Sequence, residues 1–215
     1  MRTKGDILWL AALTVLTVFI FMPITNRLFL QETAEHPYMM GFVKFAILAT
    51  MGEMLTIRIM KGTWGKPAGM GYKALVWGVV GLTIVLMFGL FNAGVQGATS
   101  KGLLPGAEGL AGRFLQAFFI GTLLNLTYGP AFMAAHRISD TYIDQVVAGN
   151  KPTLHSVVGE IDWPGFMRFV VGKTIPFFWI PVQTINFMLP AQYRVVVAAY
   201  LSIVLGIILA YARRK

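Results

Sequence analysis

The 215-residue chain contains no cysteine. Disulfides, thiolate nucleophiles and thiolate metal sites are therefore excluded. Charge is also scarce: Asp, Glu, Lys and Arg make up 13% of the residues, about half the roughly 25% of soluble globular chains. Period-two alternation of apolar and polar residues is absent, which argues against a transmembrane β-barrel. The patterns G-x-S-x-G, H-E-x-x-H and the P-loop are all missing, so no hydrolase, zincin or nucleotidase signature is present. No Arg/Ser-rich presequence precedes the first apolar stretch and no small-x-small cleavage site follows it. That stretch reads as an uncleaved span.

What the chain has is apolar length: 56% of its residues are hydrophobic. A soluble domain of this size would expose large apolar patches, whereas a bilayer solvates them. Six stretches approach the roughly 20 residues needed to cross hydrocarbon. They are Ile7 to Ile24, Gly41 to Met60, Lys73 to Asn92, Phe114 to Ala135, Gly165 to Leu189 and Arg194 to Tyr211. The expected fold is all-α, a polytopic transmembrane bundle of about six spans forming a single integral membrane domain over residues 1–215. The segment Ala93 to Arg113, rich in glycine and containing Pro105, is expected to be irregular. A short interfacial helix is expected within Arg137 to Pro164.

Net charge is +9, but the basic residues cluster at span ends. They point to topology and contact with anionic lipid, not to nucleic acid. Six spans put both termini on one side with Arg2, Lys4, Lys61, Lys66, Lys73, Arg137, Lys151, Arg213, Arg214 and Lys215. The other side carries Arg27, Lys101, Arg113 and Arg194. Ten against four predicts cytoplasmic termini in a cell inner (plasma) membrane, with an organelle membrane as the alternative.

Lipid gives helices no hydrophobic reason to associate, so small residues at spacing four mark close backbone approach. Ala198, Ser202, Gly206 and Ala210 form one such stripe, and Ala117, Gly121, Asn125 and Gly129 another. Polar groups at depth are costly and face protein or water. Glu53 is the most telling. It is half a turn out of phase with Lys44 on the same span and needs partners elsewhere, either in a water-filled path or on a basic residue such as Lys173. Residues Thr174 to Pro190 contain Pro176, Pro181 and Pro190, which break the hydrogen-bond ladder. Gln183 and Asn186 share a face near that break, with Trp179 on the same side. This combination suits either a solute path or an interhelical amide clamp. His136, Asp140 and Asp144 align at spacing four, a face suited to a metal ion or to a solvated helix edge. The third ligand is too distant for all three to reach one ion.

The C-terminal segment resembles the Mpv17/PMP22 family of small membrane proteins. The resemblance rests on Trp179, Gln183, Asn186, Phe187, Pro190 and Arg194, with Pro181 two residues after the Trp where the family has it adjacent. Gly129-Pro130 matches a second family mark, although His136 follows at six residues instead of three, with Tyr142 as the aromatic. Gly52-Glu53 stands where the family has Gly-Asp. The family is described with four spans. The resemblance implies a small channel or an influence on metabolite movement, and it brings no catalytic residue.

Together these features predict a non-enzymatic channel or permeability protein for small solutes, lined or gated by Glu53, Gln183 and Asn186, with Arg194 at the interface. No cofactor is expected; the lipid bilayer and a second copy of the chain are the expected partners. The alternatives are a membrane scaffold or accessory subunit, and a lipid-active enzyme using the His136/Asp140/Asp144 face.

Overall fold

A computed structural model describes residues 4–212. Arg2, Arg213, Arg214 and Lys215 of the charge tally lie outside the described residues. Among those described, the chain is all-α. The elements are α1 (Lys4–Phe21), α2 (Pro23–Glu35), α3 (Pro37–Lys61), α4 (Met70–Ser100) and α5 (Gly109–Val147), then α6 (Leu154–Glu160) and the single turn α7 (Trp163–Gly165). A π-helix (Phe166–Trp179), α8 (Ile180–Met188) and α9 (Ala191–Ala212) complete the fold. Five helices are long and apolar enough to cross a membrane: α1, α3, α4, α5 and α9.

Proline punctuates the chain. The residue before proline is pushed out of the helical region, while proline itself suits the first helical turn. Met22, at φ −70° and ψ 130°, separates α1 from α2, whose first residue is Pro23. His36 separates α2 from Pro37 of α3. Leu189, at φ −73° and ψ 160°, ends α8 before Pro190. The first span therefore stops at Phe21 and not at Ile24. The residues after it form a second helix of mixed polarity in place of a loop. Gly62 closes α3 with a left-handed φ of 73° and donates its N–H to the Arg58 carbonyl at 3.0 Å, the C-cap geometry that glycine favours.

Two expected loops are largely helical. Because α4 runs to Ser100 and α5 starts at Gly109, only residues 101–108 of the Gly-rich segment are irregular. Helix α5 continues to Val147, which carries His136, Asp140 and Asp144 on helix. The short helix beyond it is α6, capped by Thr153, whose hydroxyl accepts from the Ser156 N–H. The fifth apolar stretch is not broken at its prolines. It stays helical from Trp163 to Met188, wide in its first part and α-helical from Ile180. In the wide part the Thr174 hydroxyl donates to the Phe169 carbonyl five residues back at 3.1 Å, so a side chain serves a backbone group inside the element.

The core lies where α3, α4, α5, α8 and α9 meet, around Phe45, Leu48, Phe88, Ile120, Leu124, Phe187, Val196 and Ile203. Glycine allows the close crossings. A Cβ on Gly41 would lie 2.9 Å from the Gly81 carbonyl oxygen of α4, and one on Gly52 only 3.2 Å from the Cα of Ile203 on α9. On α9, Gly206 faces Thr56 and the Gly52 carbonyl, while Ala198 and Ala210 are buried. Gly121 of α5 faces the Thr184 backbone of α8. Both small-residue stripes thus reach helix seams, at Gly121 and at Gly206. The outer surface remains apolar, with Leu8, Ile24, Leu75, Leu126 and Phe177 exposed; lipid accommodates that surface and water does not.

Candidate functional site

Helices α3, α4, α5, α8 and α9 and the π-helix line an open cavity of about 930 Å³. Its inner end is lined by Ile84, Leu124, Asn125 and Gln183, and its outer end by Lys73, Arg137, Asp140 and Asp144. A second pocket of about 370 Å³ lies at the other end of the bundle, among Asn92, Gln96, Arg113, Gln116 and Arg194.

The two spaces abut along three helices. On α5 the small pocket reaches Ile120 and the large cavity begins at Leu124, one turn later; on α8 the pair is Phe187 and Gln183. On α4 the buried Phe88 stands between Asn92 and Ile84, its ring 4.8 Å from that of Phe187. Ile120, Leu124, Phe88 and Phe187 thus form an apolar plug about one helical turn thick on α5 and α8 and about two turns on α4.

Beside the plug, Asn186 donates its amide to Gln183 Oε1 at 2.9 Å and to the Arg194 carbonyl at 3.0 Å. Gln183 lines the cavity, whereas Asn186 does not; it is fully buried and ties α8 to α9. The two amides are therefore both wall and clamp. Trp179 also lines the cavity, with an indole nitrogen that is buried and has no partner among the described residues. Gly129 lines it as well, and Pro130 follows inside α5. Pro181 sits where the π-helix passes into α8, inside one continuous helical stretch. Arg194 packs over the Phe187 ring and donates to the Leu189 carbonyl at 2.9 Å, while Arg113 donates to the Met188 carbonyl at 3.2 Å. Two guanidiniums thus serve the orphan carbonyls at the end of α8.

Toward the outer end, Trp77 of α4 donates its indole N–H to Glu53 Oε1 at 2.6 Å. The same ring lies against His136, with centroids 4.1 Å apart. Glu53, His136 and Asp140 each bring a potential ligand atom to within 4.8 Å of the others. Asp144 is not part of this group: its carboxylate pairs with Lys73 at 2.9 Å. Lys173 lines the same cavity, but Glu53 takes its hydrogen bond from Trp77. Lys44 is remote from the cavity, donating to Thr33 at 2.8 Å and lying 4.4 Å above the Phe29 ring.

The sequence reading identified Glu53, Gln183 and the His136 face but missed Trp77, the Lys73–Asp144 pair and the plug. Asn125, read as a seam residue, also lines the cavity. An i, i+4 histidine–aspartate pair is visible in sequence, but the helix supplying a third group is not. No family model matches the chain, and comparison with curated proteins and solved structures found no match either.

Proposed function

We propose that the protein is a gated path for small polar solutes across a cell inner membrane, with both termini cytoplasmic and no chemical reaction. One observation carries this reading. Two spaces that each carry polar side chains approach from opposite ends of the bundle and are separated by one to two turns of apolar side chains. A short hydrophobic constriction between wet vestibules holds back water and ions by dewetting, and it opens with small helix displacements. Glu53 and Gln183 line the larger vestibule, while Asn186 fixes the Gln183 amide. The resemblance of Trp179, Gln183, Asn186, Phe187, Pro190 and Arg194 to the Mpv17/PMP22 motif supports the same reading and makes membership of that family part of the proposal.

The test is efflux of size-graded neutral and charged solutes from liposomes carrying the purified protein. Ile120→Ala thins the plug and is expected to raise efflux about tenfold, the effect of about 1.4 kcal/mol off a barrier. Gln183→Leu extends the apolar zone and lowers efflux, and Glu53→Gln changes selectivity between cations and anions. If folded, inserted wild type and folded Ile120→Ala both release nothing, the permeation reading fails and a scaffold role takes its place.

A further inference from the structure

Glu53, His136 and Asp140 come from two helices, α3 and α5, and converge in the cavity wall without completing their own hydrogen bonding. Glu53 uses Oε1 for the Trp77 indole. His136 Nδ1 is 3.7 Å from Asp140 Oδ2, beyond hydrogen-bond reach. His136 Nε2 and Asp140 Oδ1 are buried and have no partner among the described residues. Buried polar atoms are nearly always satisfied, so these two orphans call for an occupant.

We propose that this triad binds one divalent first-row transition cation of the zinc or manganese type. The donor set is one imidazole nitrogen and two carboxylate oxygens. Imidazole favours such ions over magnesium and calcium, and three protein donors are too few for the six to eight oxygens calcium takes. Three protein ligands and one position open to the cavity are the arrangement of accessible zinc sites. The ligand atoms lie within 4.8 Å of one another, while a tetrahedral ion with bonds of about 2.0 Å needs them roughly 3.3 Å apart. Small side-chain rotations close that gap. Charge agrees: a dication matches the two carboxylates, while the nearby Lys73 is already engaged by Asp144. Trp77 orients the set by holding the Glu53 carboxylate with its N–H and the His136 ring with its face, the role that outer partners play around bound metals. The site stands independently of the permeation reading.

The experiment uses full-length protein in detergent, stripped with chelator and titrated with zinc, manganese and cobalt. The background variant carries His36→Gln and His155→Gln, leaving His136 as the single histidine. The expected result is one ion per chain, with visible cobalt bands and, for bound manganese, one directly coordinated nitrogen in pulsed electron paramagnetic resonance. Affinity should fall at least about tenfold in Glu53→Gln, His136→Gln and Asp140→Asn, and by less than about threefold in Asp144→Asn. The nitrogen signal is read on protein with an intact triad, so a misfolded triad variant does not remove the test. Absence of stoichiometric binding, an ion without bound nitrogen, or affinity unmoved by all three triad changes overturns the site and leaves cavity water on the orphan atoms. Because no flux is measured, the permeation test can fail while this one succeeds, and the reverse.

Discussion

Gly81→Ala tests whether the bundle is held by backbone contact between α3 and α4. A Cβ on Gly81 would fall inside van der Waals contact of the Gly41 carbonyl, and in the reverse direction a Cβ on Gly41 would stand 2.9 Å from the Gly81 carbonyl oxygen. Both opposing atoms are main chain, so no rotamer change relieves the overlap and the helices must separate. Overpacking of this kind costs about 1–3 kcal/mol. Alanine recovers up to about 1 kcal/mol through its greater helix propensity. Set against each other, these leave a net loss of up to about 2 kcal/mol. Gly89→Ala and Gly94→Ala on the same helix supply the control, because a Cβ at either meets nothing within 4 Å. Those variants keep the propensity gain and are expected to be neutral or more stable by up to about 1 kcal/mol. The assay is reversible unfolding in mixed micelles, followed by tryptophan fluorescence. Gly81→Ala as stable as Gly89→Ala would refute the claim that backbone contact sets the α3–α4 distance.

Two further outcomes use the same assay. Asn186→Leu removes both amide donations, to Gln183 and to the Arg194 carbonyl, and should cost about 1–3 kcal/mol; a loss under a few tenths would show that the amides only line the wall. Asp144→Asn should change stability by less than about 1 kcal/mol, since half-solvated ion pairs contribute little and the Asp144 side chain is 55% exposed; a larger loss would mean that its pairing with Lys73 holds α4 to α5.

Five of the six apolar stretches hold helices long and apolar enough to cross a membrane, and the fifth stretch, Gly165 to Leu189, does not; those five were legible because length and apolarity are properties a sequence displays directly. The helix ends were not, because they depend on local chemistry. Proline stops α1 at Phe21, while α4 and α5 run past their apolar windows into residues such as Gly97 and Thr141 that helices tolerate once the span is nucleated. The small-residue stripes on α5 and α9 were readable, but Gly41 against Gly81 was not, because neither glycine has another small residue four positions away on its helix. Glu53 stood out as an acid at depth, yet its partners His136 and Asp140 lie more than eighty residues away. The His136 face suggested Asp144 as the third group. In the fold Lys73 takes Asp144, and Glu53 fills its place.

The cavity has a geometric origin in the way α5 meets the fifth stretch. A Cβ on Gly121 would stand 3.1 Å from the Thr184 backbone nitrogen, so α5 and α8 touch there. Two turns further, a Cβ on Gly129 would meet nothing nearer than 3.7 Å, and the π-helix replaces α8 as its neighbour. Contact is therefore tightest at Gly121 and Thr184, the vertex of a V whose arms loosen toward Gly129 and Ile175. A π-helix is wider than an α-helix and uncommon outside functional sites; here it forms one arm of the opening. The plug residues Ile120, Leu124 and Phe187 cluster at the vertex, the narrowest part of the V. On the permeation reading, opening then requires α5 and α8 to part at Gly121. On the same reading, groups farther out, from Gln183 to the triad, act on which solutes reach that point. Gate and selectivity are therefore separable by mutation: plug changes should alter rate for every solute, and changes at Glu53 should alter the order among solutes.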